Sequence, residues 1–315
     1  MSKNEWAIKT VNLCKNFGTF HALEDLNLEV ACNSVYGFLG PNGSGKTTTI
    51  RMLTGLSNPT SGQSLIMGYD SSDRSLHARR LIGYLPDVPA FHKYMSGLEY
   101  LIFCGELNGF TYDEAKKQAH KHLDRTNLAD ASMRKTSGYS RGMKQRLGLA
   151  AALVGDPQVL FLDEPVSALD PIGRAEVISI IRELKDYKTI FLSTHILADV
   201  ERICDKVGII NHGRMIVSDT VKELKSSYAQ NRFILRFAHD PADLLPKIRE
   251  QAWCESAVSN RNDEGHYMMV VKAKNIKDAQ ENLPLIAVQK GHILLHYEIV
   301  EPSLEEIFIT LAGVN

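Results

Sequence analysis

Gly40-Pro41-Asn42-Gly43-Ser44-Gly45-Lys46-Thr47-Thr48 decides how this chain is read, because it sets curling glycines, one ammonium and adjacent hydroxyls between two regular elements. The spacing is Gly-x-x-x-x-Gly-Lys-Thr, the form of a phosphate-binding loop. Ahead of it, the apolar run Val35-Tyr36-Gly37-Phe38-Leu39 reads as a buried strand; behind it, Thr48 to Leu53 reads as the first turns of a helix. Glycines let the loop turn successive N–H groups inward, and the helix N-terminus adds its partial positive charge to the same anion site. Lys46 is then placed to reach the β- and γ-phosphates of a nucleotide, and the Thr47 hydroxyl to ligate Mg²⁺. The loop alone implies only a nucleotide, since kinases, GTPases and ATPases share it.

Further along, Val159-Leu160-Phe161-Leu162 runs directly into Asp163-Glu164-Pro165. Such a run reads as a central parallel strand with its acids at the carboxyl end, where ligands collect in open α/β sheets. By itself it could equally be a strand ending in a solvated turn. Behind a phosphate loop, it supplies an Mg²⁺-ordering aspartate and a candidate base. Lys188 to Ser193 is a third strand that brings Thr194 and His195 to the same edge, and Leu81 to Leu85 is another, ending at Pro86-Asp87. Ser140-Arg141-Gly142-Met143 opens a helix with apolar positions Met143, Leu147, Ala150, Ala151 and Val154; its hydroxyl and glycine suit either an ordinary N-cap or an anion-binding helix start.

Ala7 to Leu13 and Leu26 to Val30 alternate as half-solvated strands do, and read as an antiparallel pair at the sheet margin. Between them, Phe17-Gly18 makes a turn whose ring serves either turn packing or stacking on an adenine face. From Ser96 to Asp130 the texture is helical, an insertion in an α/β chain, with His120 and His122 expected on its solvated polar surface.

Composition narrows the class. At 315 residues, the chain suggests one large domain and a smaller one. The net charge of -1 provides no overall field for nucleic acid or an anionic membrane. Five widely spaced cysteines without a CxxC pair read as structural thiols of a reduced, cytosolic protein. The longest apolar stretch, around Leu147 to Val154, falls well short of the roughly 18 residues a bilayer crossing needs. The N-terminus MSKNEWAIK has mixed charge and lacks the apolar core of a signal peptide.

Taken together, the residues from Trp6 to Leu224 resemble the ATP-binding cassette (ABC) ATPases. Gly40 to Thr47 resembles Walker A, Tyr139 to Met143 the signature sequence, Leu160 to Glu164 Walker B, Ser167-Ala168-Leu169-Asp170 the D-loop, and His195 the switch histidine. Phe17 falls where that family places its adenine-stacking aromatic. The order of motifs is more specific than any one of them.

The resemblance implies an α/β P-loop NTPase of the cassette type over residues 1–224: a mixed sheet with an antiparallel margin and a helical subdomain at about 88–155. It implies a head-to-tail dimer, a homodimer on this reading, with each ATP held between the phosphate loop of one copy and the signature helix of the other. Phe17, Gly40, Pro41, Asn42, Gly43, Ser44, Gly45, Lys46, Thr47 and Thr48 would bind the nucleotide, with Ser140 and Gly142 reaching it from the second copy. Glu164 would be the general base, Lys46 and His195 would contact the γ-phosphate, and Thr47 and Asp163 would serve Mg²⁺. Arg141 and Met143 stand where many members have Gly and Gln. Asp87 stands where most carry Gln, and reads either as a further metal ligand or as a contact to the membrane partner.

Residues 225–315 read as a separate α+β domain. Arg232 to Phe237, a short strand near Ser256, Tyr267 to Lys272 and His292 to Ile299, with helices at Pro241 to Gln251 and Ile276 to Leu283, are compatible with a ferredoxin-like β-α-β-β-α-β unit. Ser303-Leu304-Glu305-Glu306 fits a capping box. Such a tail resembles that of ATPases serving bacterial export systems of the drug-resistance type; a packing or dimerisation role is the alternative. The expectation is an ATPase subunit that energises a separate membrane permease, peripheral on the inner face of the cell membrane, with no nucleic-acid partner. The alternatives are a soluble cassette ATPase working on nucleic acid or ribosomes, and a nucleotide-dependent regulatory factor. The first usually carries two cassettes or a long coiled coil; the second has no need of the base Glu164.

Overall fold

The computed structural model describes residues 5–73, 76–167, 169–229, 231–261, 266–289 and 291–312, which form two compact units, Met1–Val221 and Lys222–Asn315. In the first, the strands β1 (Trp6–Phe17), β2 (Phe20–Ala31) and β3 (Val35–Leu39) precede helix α1 (Lys46–Leu53). There follow β4 (Ser61–Ile66), β5 (Tyr69–Asp70), α2 (His77–Arg80) and β6 (Ile82–Leu85). Three helices come next, α3 (Gly97–Leu107), α4 (Tyr112–Arg125) and α5 (Arg141–Leu153). The unit ends with β7 (Val159–Asp163), α6 (Pro171–Leu184), β8 (Thr189–Thr194), α7 (Leu197–Ile203), β9 (Lys206–Asn211) and β10 (Arg214–Thr220).

The principal sheet runs β10-β9-β3-β8-β7-β6, parallel except for β10 at its margin. Every residue of β3, β7 and β8 is buried, which is why these strands read as unbroken apolar runs rather than as alternation. Their register sets Leu39 beside Thr194 and Asp163 beside Ser193, so three strands distant in sequence end at one level. The N-terminal pair expected at the margin of this sheet belongs instead to a separate four-stranded antiparallel sheet, β2-β1-β4-β5. Alternation in β1 and β2 gives that sheet one buried face, which a strand inside the doubly covered sheet would not need. Phe17 pairs with Phe20 across a two-residue turn in which Gly18 takes a positive φ of 58°.

The helical subdomain packs α3, α4 and α5 around Leu101, Ala119, Leu123, Leu147 and Val154. Two capping boxes define where its helices begin: Ser96 with Glu99, and Thr111 with Glu114. Each is worth about 1 kcal/mol. His120 is exposed, but His122 is buried at 4 % exposure, contrary to the solvated surface expected for both. It shares the inward face of α4 with Ala115, Ala119 and Leu123, spaced as one helix face requires.

α8 (Val221–Ser227) begins at the division between the units, so the boundary lies a few residues before the expected 224/225. The second unit continues with β11 (Arg232–Phe237), α9 (Leu244–Arg249), β12 (Cys254–Arg261), β13 (Tyr267–Ala273), α10 (Ile276–Gln289), β14 (Leu294–Val300) and α11 (Leu304–Ala312). The sheet order β12-β13-β11-β14, antiparallel throughout, is the ferredoxin-like order. Phe233, Leu235 and Phe237 alternate into its core. Helix α10 passes through Pro284 instead of stopping at Leu283, because buried Leu283 and Ala287 on either side hold it on the sheet. Ser303 and Glu306 cap α11 reciprocally at 3.1 and 3.2 Å.

Candidate functional site

At the carboxyl ends of β3, β6 and β7 lies a cavity of about 340 Å³ lined by Phe20, Ala22, Asn42, Gly43, Gly45, Lys46, Thr47, Thr48, Asp87, Asp163 and Glu164. The phosphate loop forms its floor. A Cβ on Gly40 would lie 2.4 Å from both the Ser44 Oγ and the Ile210 carbonyl oxygen, so only glycine fits where the loop leaves β3. Gly43 and Gly45 hold positive φ values of 81° and 111°, a geometry that turns their neighbours' amides toward the cavity. Lys46 donates from Nζ to its own loop, to Gly40 O at 2.7 Å and Pro41 O at 3.1 Å. Burial pushes its ammonium below the ordinary lysine range, while the Glu164 and Asp163 carboxylates oppose the shift.

The acids are set by the strand ends. Asp163, 2 % exposed, accepts a short hydrogen bond from Ser193 Oγ and faces the Thr47 hydroxyl at 3.5 Å. Directly after it the chain turns sharply: Glu164 adopts a left-handed φ of 49°, and its amide donates to Ser193 O at 3.0 Å and Ser193 Oγ at 3.2 Å. Strain of this kind costs on the order of 1–3 kcal/mol and persists only where neighbours enforce it. Here it directs the Glu164 carboxylate out of the strand, where Oε2 lies 2.9 Å from His195 Nδ1. The two atoms are close but not aligned for a hydrogen bond, and Glu164 Oε2, like Ser44 Oγ, is a buried oxygen without a hydrogen-bond partner.

The structure thus gathers Lys46, Thr47, Thr48, Asp87, Asp163 and Glu164, with His195 against Glu164. It places Phe17 elsewhere, in an adjoining cavity of about 260 Å³ with Thr48, Arg51, Leu56 and Ser57, the residue 56 % exposed and Lys15 Nζ 5.1 Å from its ring centroid. Ser140 and Gly142 line neither cavity. Ser140 caps α5 through Met143 N at 3.2 Å, and Gly142 faces Leu169. Within the D-loop stretch, Ala168 lies outside the described residues, while Asp170 caps α6 by accepting from Gly173 N at 2.9 Å.

A family model for ABC transporters matches residues 23–167, and one for the C-terminal domain of DrrA1-3-like ATP-binding proteins matches 220–312. Among curated relatives, the ABC transporter ATP-binding protein YxlF of Bacillus subtilis is 38 % identical over 95 % of this chain and 97 % of its own. The daunorubicin/doxorubicin resistance ATP-binding protein DrrA of Streptomyces peucetius is 34 % identical over 98 % of this chain and 92 % of its own. The chain belongs to the ATP-binding subunits of ABC transporters. A solved ATP-binding subunit of an ABC transporter, 28 % identical, superposes with a TM-score of 0.65 over 70 % of this chain and 93 % of that one. The ABC subunit is accordingly an ATPase, and the nucleic-acid and regulatory alternatives fall away. None of its described helices is long and apolar enough to cross a membrane.

Sequence reading missed Phe20, Ala22 and Ser193 in this ABC subunit. Phe20 lines the phosphate cavity itself, and the signal for it was the short turn that pairs it with Phe17. Ser193, fully buried, holds both Asp163 and the Glu164 amide; in the sequence it is one more small residue at a strand end.

Proposed function

We propose that this chain powers a separate membrane permease in the export direction, as one of two identical copies that meet head to tail. ATP is then gripped between the phosphate loop of one copy and Ser140 and Gly142 of the other. The observation that carries this reading is the division of the donors: Lys46, Thr47, Asp163 and Glu164 share one cavity, while Ser140 and Gly142, at a helix start suited to anions, line no part of it. The fit to a polyphosphate rests on Gly43 and Gly45, whose positive φ values curl the loop against the cavity beside Lys46, and on the buried, unbonded Ser44 hydroxyl.

The amides of residues 42–48 and the Lys46 ammonium bind the phosphates, with Lys46 exchanging its bonds to Gly40 and Pro41 for phosphate oxygens. Thr47 and Asp163 are the residues suited to Mg²⁺, which when bound neutralises charge on the phosphates. Glu164 accepts the proton of the attacking water, and His195 keeps its carboxylate in place beside the γ-phosphate. Phe17 or Phe20 stacks on the base. Asp87 lines the same cavity two residues beyond β6, where it either adds an oxygen to the metal shell or reports the nucleotide to the permease. The loop after it bears exposed Val88 and Tyr94, with Phe103 and Leu107 exposed on α3, apolar side chains that a membrane partner could cover. The subunit then works on the cytoplasmic face of the membrane, and the resistance named for DrrA is the ground for choosing export. The near-neutral charge supports no nucleic-acid partner.

Glu164→Gln tests this reading. Turnover is expected to fall by at least about a hundredfold with ATP still bound, the scale on which removal of a general base acts. The variant should run as a dimer in size exclusion with Mg-ATP and as a monomer without it. Near-parental turnover would remove Glu164 from the mechanism, and a monomer under both conditions would remove the head-to-tail pair.

A further inference from the structure

His195 is 56 % exposed at its side chain, so packing does not fix the imidazole that meets Glu164. Its position depends on the backbone on either side, β8 before it and α7 after it. The first turn of α7 carries Asp199, a carboxylate only 2 % exposed. Arg174, in the first turn of α6, engages it with two nitrogens: Nε lies 2.9 and 2.8 Å from the two oxygens, and Nη2 lies 2.7 Å from Oδ1. This is the planar, two-pronged arrangement in which arginine fixes orientation as well as distance.

Helix α6 is itself anchored. Glu176 meets Arg146 of α5 at 3.1 Å, Lys185 bonds Asp205 at the start of β9, and Asp170 caps the first turn. Helix α7 has seven residues and no side-chain cap. The fixed member of the pair is therefore α6 and the held member α7. From Glu164 the chain runs through Asp170 to Arg174, across the ion pair to Asp199, back through α7 to His195, and from His195 Nδ1 to Glu164 again. Opening this ring at the buried pair frees the start of α7, and the imidazole with it, since a further link between the two helices, Arg182 Nη2 to Arg202 O at 3.3 Å, lies at the far end of α7.

We propose that Arg174 and Asp199 are positioning residues that hold His195 against Glu164 by clamping the first turns of α6 and α7. The inference rests on the reading of His195 and Glu164 given above, but its first test does not require turnover. In protein labelled with ¹⁵N-histidine, the His195 imidazole resonances are assigned by their loss in His195→Gln. Asp199→Asn, which keeps shape and removes charge, should shift or broaden them. An unchanged His195 spectrum overturns the proposal.

Asp199→Asn should also lower kcat about ten- to a hundredfold with KM for ATP little changed, as displacement of a group near the chemistry does. In the His195→Gln background it should add no further loss, since the pair acts through His195; an additional loss of similar size overturns the proposal. If Asp199→Asn does not fold, Arg174→Lys and Arg174→Gln provide the same reading from the more exposed partner. Lysine, which retains the charge, should restore the spectrum and most of the turnover that glutamine loses, and equal effects from the two overturn the proposal. Should His195→Gln itself turn over at the parental rate, the catalytic reading of His195 fails, while the spectrum still judges the clamp.

Discussion

The strand ends of the α/β core and the start of α5 offer the same chemistry, small hydroxyls and glycine amides at helix N-termini, yet they differ in how much of a site each builds within one chain. In the core, the phosphate loop, Asp87 and the pair Asp163-Glu164 come from separate stretches and meet because β3, β6 and β7 are parallel and end on one side. In the helical subdomain, Ser140 spends its oxygen on Met143 N, and Gly142 looks toward Leu169. A helix start suited to anions is only half a site until another surface faces it.

The largest effect should come from charging that half-site. Gly142 has room for a side chain, its nearest neighbour being Leu169 Cδ2 at 3.5 Å, and an acid in the first turn of a helix is tolerated by the fold. Gly142→Asp should therefore fold and keep ATP on the phosphate loop of its own copy, yet lose at least about a hundredfold in ATPase activity, because a carboxylate facing the γ-phosphate repels the charge that the donors there stabilise. Mixing it with Lys46→Ala should recover part of the activity, since one composite site in the mixed pair pairs an intact loop with an intact signature. Parental activity in Gly142→Asp alone would break the comparison.

A smaller effect separates the two aromatics at the hairpin tip. Whichever ring stacks on the base should cost about 1–3 kcal/mol of nucleotide affinity when replaced by alanine, and the other should cost little. Titrations of Phe17→Ala and Phe20→Ala with a fluorescent ATP analogue decide which cavity, that of Thr48 and Arg51 or that of Lys46, receives the adenine. Equal, unchanged affinities would leave both rings to the hairpin.

The last effect leaves ATP binding untouched and falls on the helical subdomain's own stability. Burial, reinforced by Lys121 and Arg125, lowers His122 from its usual range to about 4. The folded state therefore binds the proton more weakly than the unfolded state, so the stabilising contribution is present above the unfolded value near 6.5 and is lost as pH falls toward 4. The loss should be on the order of 1–3 kcal/mol by pH 4, read as a falling denaturation midpoint. His122→Gln should flatten that slope while leaving ATP affinity at neutral pH unchanged, and an unaltered slope would sever His122 from it.

Much of the core was open to inspection in the sequence because its chemistry is local. The glycines of residues 40–45, the apolar runs ending at Leu39 and Leu162, and the acids directly after the second run each announce themselves within a few residues, and a fully buried strand leaves no polar alternation to blur the reading. Ser303 with Glu306 was visible for the same reason, since a capping box is written into four consecutive residues.

What the sequence determined by itself was the phosphate loop, the apolar strands ending at Leu39, Leu85 and Leu162, and the candidates for base and metal ligand, because backbone conformation and helix or strand periodicity are short-range properties. Only the tertiary structure decided that the N-terminal hairpin forms its own sheet, that Phe20 rather than Phe17 lines the phosphate cavity, and that His122 is buried. It also decided that Ser193 holds Asp163 and that Arg174 meets Asp199. Each of these depends on which strands pair and on which helix faces which, and those choices follow from burying apolar faces over long separations in sequence, where a side chain's neighbours leave no trace beside it in the chain.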